Sequence, residues 1–273
     1  MLLTGIASSA SIERIHFEWS DINTREVVEW DGDIAQVRQG ASMQDLSCLA
    51  NIDSGDIDFA IERFGIPKSW TSISYTDAED LKKKQQDLKI RASKYGIKML
   101  DKKNRYVVDY AWVVKESEND IRGVAKSIRS SARKEGYRSR RELIGAFSSL
   151  VQSLDYRIPA DYRHNDEGEE ILTVGAMMPL ETLSKKWGDC DSKSLLFASL
   201  VKSINLAEVL FIAIEEHIFV AVDLPPTNED HSISYNRNSW VLIEMTDAWP
   251  VGRVPVKHLE GVMNNRYTVV ELH

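Results

Sequence analysis

Pro179-Leu180-Glu181-Thr182-Leu183-Ser184-Lys185-Lys186-Trp187-Gly188-Asp189-Cys190-Asp191-Ser192-Lys193-Ser194-Leu195-Leu196 is the stretch on which the reading of this chain turns. Gly188 permits a tight backbone turn. Asp189 is a strong N-cap, because its carboxylate accepts hydrogen bonds from amides that the first helical turn leaves free. Cys190 then becomes the first residue of a helix, with Leu196, Leu200, Val201 and Ile204 as the apolar stripe behind it. A thiol attacks a carbonyl as the thiolate, and a helix N-terminus favours an anion. The backbone N–H of Cys190 also points where an oxyanion would form. Asp189 and Asp191 work against ionisation, so activation has to come mainly from a paired base. A cysteine in a helix is ordinarily a small buried hydrophobe. A glycine turn and a cap directly before it favour the reactive reading, since a buried cysteine needs neither.

A thiol nucleophile calls for a histidine base and a third group to orient it. Of six histidines, only His217 lies in a strand-like run after the Cys190 helix, within Val209-Leu-Phe-Ile-Ala-Ile-Glu-Glu-His217-Ile-Phe-Val-Ala-Val222. His217, Phe219 and Ala221 share one face of that strand, and Ile218, Val220 and Val222 the other. His164 and His231 fall in polar loops and read as solvated. His16 is placed to face the core of an N-terminal sheet, and His258 and His273 have no motif around them. Gln152 and the indole of Trp187 are candidates for a second oxyanion donor.

The run Leu180-Glu181-Thr182-Leu183…Gly188-Asp189-Cys190-Asp191…Lys193-Ser194-Leu195-Leu196 resembles the nucleophile segment of the transglutaminase-like superfamily, especially its bacterial cysteine-peptidase-like members. Phe147…Val151-Gln152-Ser153-Leu154-Asp155-Tyr156 resembles the helix that precedes it. The likeness covers roughly residues 106–256. It implies an α+β, papain-like core: a nucleophile helix packed on an antiparallel sheet. In the family pattern the base is a histidine at the start of a strand followed by alternating apolar residues, which His217 matches. The third member follows a tryptophan and a few apolar residues as Asp-x-Thr. Here that place holds Glu244-Met245-Thr246 after Trp240, a departure from the usual aspartate, with Asp247 as the alternative acid. The intervals are even: 217 − 190 = 27 and 244 − 217 = 27. The activity implied is acyl transfer through a thioester, as a cysteine peptidase or amidase on a protein or peptide substrate. A transglutaminase with an amine acceptor, or a silent peptide-binding module on the same fold, are the alternatives.

The rest of the chain bounds this reading. Its 273 residues suffice for two domains, and the division is expected near residue 105. Residues 1–105 would form an accessory region with β-structure and a surface helix, and residues 106–273 the catalytic domain. Strands are expected over 12–19 and 26–30, with a turn at Asp31-Gly32-Asp33, and a helix over 77–95 ending at Gly96. Residues 106–114 read as extended or buried. Asn119 or Asp120 would cap a helix through Arg133, and Ser139 with Glu142 forms a capping-box pattern for the next. Residues 157–176 and 225–238 read as loops.

A net charge of −8 gives no reason to expect nucleic acid as a partner. The basic stretch from Arg129 to Arg141 reads as a solvated helix end and loop. No apolar run approaches the roughly 20 residues that span a bilayer. Two cysteines, Cys48 and Cys190, exclude a disulfide scaffold, and a bridge between them would consume the nucleophile. No His-x-x-x-His or Cys-x-x-Cys pair stands at ligand spacing, so neither a metal nor a cofactor is expected. The small, apolar residues 1–10 resemble the end of a secretory leader, which would imply a periplasmic or secreted protein, but lack its positive start. A strand-forming or disordered terminus is the other reading.

Overall fold

The structure, a computed structural model, describes residues 11–24, 27–30, 33–37, 44–100 and 105–272. The leader-like residues 1–10 and the Asp31-Gly32 turn lie outside them.

Two β-branched, aromatic-rich runs set the centre of the molecule. Val209–Ile214 and His217–Val222 pair antiparallel, from Val209 opposite Val222 to Ile214 opposite His217. Glu216, at φ +59°, turns the chain between them. The strand His217–Val222 then pairs with Asn238–Ile243, and Ser232–Tyr235 and Thr268–Glu271 add the two edges. The result is a five-stranded sheet, antiparallel throughout. The edge strand Ser232–Tyr235 lies inside a segment expected to be loop. Its alternation Ser-Ile-Ser-Tyr buries only Ile233, and the left-handed pair Asn236 and Arg237 closes the hairpin. That short period-two signal is submerged in polar neighbours.

The helix Cys190–Ser203 lies against this sheet and is covered by three others: Tyr110–Lys134, Arg140–Gln152 and Pro179–Lys185. It is buried on every side from Ser192 to Val201, not along one stripe. The uninterrupted run Leu195-Leu-Phe-Ala-Ser-Leu-Val201 is the pattern of a helix with no solvent face. Arg140–Gln152 opens with the expected capping box: Glu142 N donates to Ser139 Oγ at 3.1 Å and Ser139 N to Glu142 Oε2 at 2.6 Å. Tyr110–Lys134 differs from expectation. Asp109 caps it, accepting from Trp112 N at 3.2 Å, so Asn119 and Asp120 sit mid-helix. Val113, Val114 and Ser117 extend the buried face of Ile121, Val124 and Ile128 backwards, and that packing outweighs the local cap signal.

The N-terminal region joins the same core. Ile12–Asp21 pairs antiparallel with Gln44–Asp53, and Phe17, Trp19, Leu46, Cys48 and Ala50 pack into one cluster with Leu195–Val201. Phe17 and Trp19 take the inward face, and His16 points out, contrary to its expected core position. Asp21, 1 % exposed, accepts from Tyr137 Oη at 2.7 Å and Ser149 Oγ at 2.9 Å. Asn23 Oδ1 accepts from Val251 N at 2.7 Å. Gly145 is needed for that approach, since a Cβ there would stand 2.8 Å from Asn23 Nδ2. Val27–Trp30 pairs with Asp33–Val37. The helix Ala78–Ala92 is capped by Asp77 and followed by a short 3-10 turn and left-handed Gly96, with Leu88 and Ala92 its only buried residues. Ile66–Pro67 pairs with Glu170–Leu172, inside the expected 157–176 loop. The core therefore runs unbroken across residue 105. Among the described residues no helix is long and apolar enough to cross a membrane.

Candidate active site

Cys190 is the first residue of its helix, as its context demands. Asp189 Oδ1 accepts from Ser192 N at 2.9 Å and from Ser192 Oγ at 2.7 Å. Gly188 serves a different purpose from the one its turn suggested. The left-handed residue is Lys186, at φ +58°. A Cβ on Gly188 would lie 3.0 Å from Ser192 Cβ and 3.1 Å from Thr182 Cγ2, so glycine lets two helices approach. The Cys190 thiol is free and half-buried. Burial, then the charges of Asp191 and Asp189, push it up to about 12; the backbone amides of Ile218 and Asp191 pull the other way. Ile218 follows His217, so the sulfur rests against the start of the His217 strand. Asp191, beside it, accepts from the Tyr110 hydroxyl. Burial pushes the Asp191 carboxyl up, opposed by Tyr110, His217 and Arg105.

His217 Nε2 lies 2.8 Å from Glu244 Oε2. Glu244 is fully buried at the end of Asn238–Ile243, and its Oε1 accepts from Thr246 N at 2.8 Å and Thr246 Oγ1 at 2.7 Å. Burial alone would raise its carboxyl. The bonds from His217 and Thr246, with the His258 ring close by, outweigh this and hold it far below the usual carboxylate range. Glu244 is thus the acid beside His217. Asp247 is exposed and accepts from Ala248 N at 2.7 Å.

Gln152 is not free to serve as an oxyanion donor. Its Nε2 donates to Glu244 O and to Trp249 O, both at 2.7 Å, so both N–H bonds are engaged. The amide instead fixes the strand end that carries Glu244. Trp187 is partly exposed in a two-residue strand parallel to Asp155–Tyr156, its ring centroid 5.7 Å from Lys185 Nζ. His231 is structural, not merely solvated: its Nδ1 accepts from Val254 N at 3.2 Å.

Two residues escaped the sequence. Lys193 is fully buried, with Nζ donating to the carbonyls of Leu154 (2.9 Å), Gln152 (3.3 Å) and Thr246 (3.4 Å). Burial lowers it to about 8. It sits one turn behind Cys190 and ties that helix to the segment after Glu244. His258, on the helix Val256–Met263, lies over His217 with ring centroids 4.1 Å apart and planes tilted 31°. Its Nδ1 is 3.5 Å from Glu244 Oε2, too long for a full hydrogen bond, and is buried with no other partner. No spacing in the chain foretells this, because the contact depends on where that helix docks.

Sequence spacing offered no metal set, but the fold assembles ligand-type atoms. Among the described residues, His217, Glu244 and His258 form one group with such atoms within 4.8 Å of one another, and Asp189, Cys190 and Asp191 a second. No protein-family model matches this chain, and no curated protein matches it significantly.

Proposed function

We propose that the chain is a cysteine-nucleophile enzyme that transfers acyl groups from peptide or amide bonds, with Cys190 as nucleophile, His217 as base and Glu244 as its orienter. The observation that carries this reading is the fully buried Glu244 held 2.8 Å from His217 Nε2, with the amide of Ile218, the residue after His217, against the Cys190 sulfur. The resemblance of the Gly188-Asp189-Cys190-Asp191 segment to the transglutaminase-like superfamily supports it, and with it a papain-like arrangement of the core.

The chemistry follows from the hydrogen bonds. Glu244 engages Nε2, so Nδ1 is the ring nitrogen left for the thiol. Burial and two aspartates keep the thiol protonated at rest. The proton therefore passes to Nδ1 as Sγ attacks the carbonyl carbon. The imidazolium formed is stabilised by Glu244. The Cys190 N–H donates to the oxyanion. His217 then returns its proton to the leaving amine, the C–N bond breaks, and a thioester remains on Cys190. Water resolves it in a hydrolase and an amine in a transglutaminase. The resemblance to bacterial cysteine-peptidase-like members favours water. Tyr156 and Ile158, 51 % and 76 % exposed beside the Gly188 strand, offer a peptide an apolar shelf.

The test is turnover of a mixed peptide pool read by mass spectrometry, with and without an added alkylamine. Cys190→Ala is expected to abolish turnover, and His217→Asn to lower it by about 100-fold or more. Full activity in Cys190→Ala would sink the reading. Incorporation of the amine in place of water would assign the transferase. No turnover, and no mass adduct on Cys190 with an electrophilic peptide, would leave a peptide-binding module.

A further inference from the structure

We propose that His217, Glu244 and His258 form a binding site for one Zn²⁺ ion, and that the ion withdraws His217 from Cys190. Two imidazoles and one carboxylate are a zinc donor set, whereas calcium and magnesium favour all-oxygen shells. Both ring nitrogens face one oxygen: Glu244 Oε2 stands 2.8 Å from His217 Nε2 and 3.5 Å from His258 Nδ1. Zinc bonds of about 2.0–2.2 Å at tetrahedral angles place neighbouring ligand atoms about 3.3–3.6 Å apart. The His258–Glu244 pair already stands at that spacing, the His217–Glu244 pair has to open by about half an ångström, and ligand atoms of all three residues lie within 4.8 Å of one another.

Three further features fit. Glu244 Oε1 is held by both donors of Thr246, which orients the carboxylate and leaves Oε2 for an ion. His258 Nδ1 is buried without a hydrogen-bond partner, a cost that coordination removes. The His217 and His258 side chains retain 10 % and 20 % exposure, so an ion can enter and a water can take the fourth position.

The inhibitory consequence rests on the acyl-transfer reading; the binding does not. A neutral imidazole carries one N–H. On the acyl-transfer reading that proton is on Nε2, facing Glu244, and the Nδ1 lone pair is the one that takes the thiol proton. Zinc on Nε2 displaces that proton to solvent and Nδ1 takes one up, with no net release. Nδ1 then has no lone pair to receive the thiol proton.

The experiment titrates the purified full chain with Zn²⁺ alone, in competition with a chromophoric chelator, and follows iodoacetamide labelling of Cys190 in parallel. One equivalent is expected in the wild type and in Cys190→Ala. His258→Gln, and His258→Phe, which keeps the aromatic wall, each remove a ligand and are expected to weaken binding by more than the roughly 10- to 100-fold that loss of an outer-shell partner costs. His164→Gln, on an exposed strand, should bind as the wild type does. Zinc should slow wild-type labelling and a chelator restore it. The site is overturned if the wild type takes up no stoichiometric zinc, if both His258 variants bind normally, or if Cys190→Ala loses the ion. Zinc-dependent turnover that survives in Cys190→Ala would keep the metal site and remove the acyl-transfer reading. Normal turnover chemistry with no zinc uptake would do the reverse.

Discussion

Asp189 serves the helix and opposes the thiol at the same time. As N-cap it satisfies the first turn, yet its charge helps hold the Cys190 proton. Burial, against the bonds from Ser192, raises its own carboxyl to about 6. A carboxyl raised in the folded state contributes stability below its unfolded value, about 3.9, and loses it as pH rises through about 6. Asparagine caps as well as aspartate. Asp189→Asn should therefore keep the helix and gain roughly 1–2 kcal/mol over the wild type at pH 7, with the difference vanishing near pH 4. Denaturant melts at the two pH values check this. Labelling of Cys190 at neutral pH should also quicken, because one opposing charge is gone. The placement of Cys190 after a cap and of His217 at a strand start follows from local sequence, whereas Glu244 is reached only through the likeness of Glu244-Met245-Thr246 after Trp240 to the family triplet. Gln152 was misread because the carbonyls that occupy its amide come from a segment nearly a hundred residues away.

At the scale of elements, the Cys190 helix shows what local patterns miss. Lys193 looks like a solvated helix position, but the helix has no solvent face there, so its ammonium ends among three carbonyls. Those carbonyls close the Arg140–Gln152 helix and the segment after Glu244. Lys193→Met leaves them buried without a donor and should destabilise the protein by about 2–4 kcal/mol at pH 7. The wild-type lysine is lowered to about 8 against about 10.4 unfolded. Its contribution is therefore complete above the unfolded value and is lost as pH falls through about 8. The stability gap between wild type and Lys193→Met should widen from pH 8 to pH 10, as equilibrium melts would show. The start of Tyr110–Lys134 was hidden for a related reason. Asn119 and Asp120 have capping chemistry, but Asp109 is the residue whose flanking chain turns out of the helix.

For the molecule as a whole, the continuous core decides how it comes apart. Phe17, Trp19 and Leu46 share one cluster with Leu195 and Phe197, and Asp21 and Asn23 bond to residues 137, 149 and 251. The division expected near residue 105 matches the start of the family resemblance, outside which the first hundred residues lie. The extent of a resemblance does not report which apolar faces meet. Thermal unfolding followed by tryptophan fluorescence and by far-UV circular dichroism should give coincident transitions. Trp19→Ala should lower both together, by about 3–5 kcal/mol. A separate transition that moves alone in Trp19→Ala would show two domains divided near residue 105.

The all-round wrapping of the Cys190 helix also constrains how such a protein diverges. Positions 192–201 touch neighbours on every side, so nearly any exchange there disturbs packing that four other elements share. Tyr156, Ile158 and the segment at Glu229 lie outside that shell, on stretches that tolerate change. Descendants of this chain can acquire new preferences by remodelling that rim while the chemistry beneath is inherited intact. Two copies with the same inner helix and unlike rims would be expected to share a reaction and differ in what they accept.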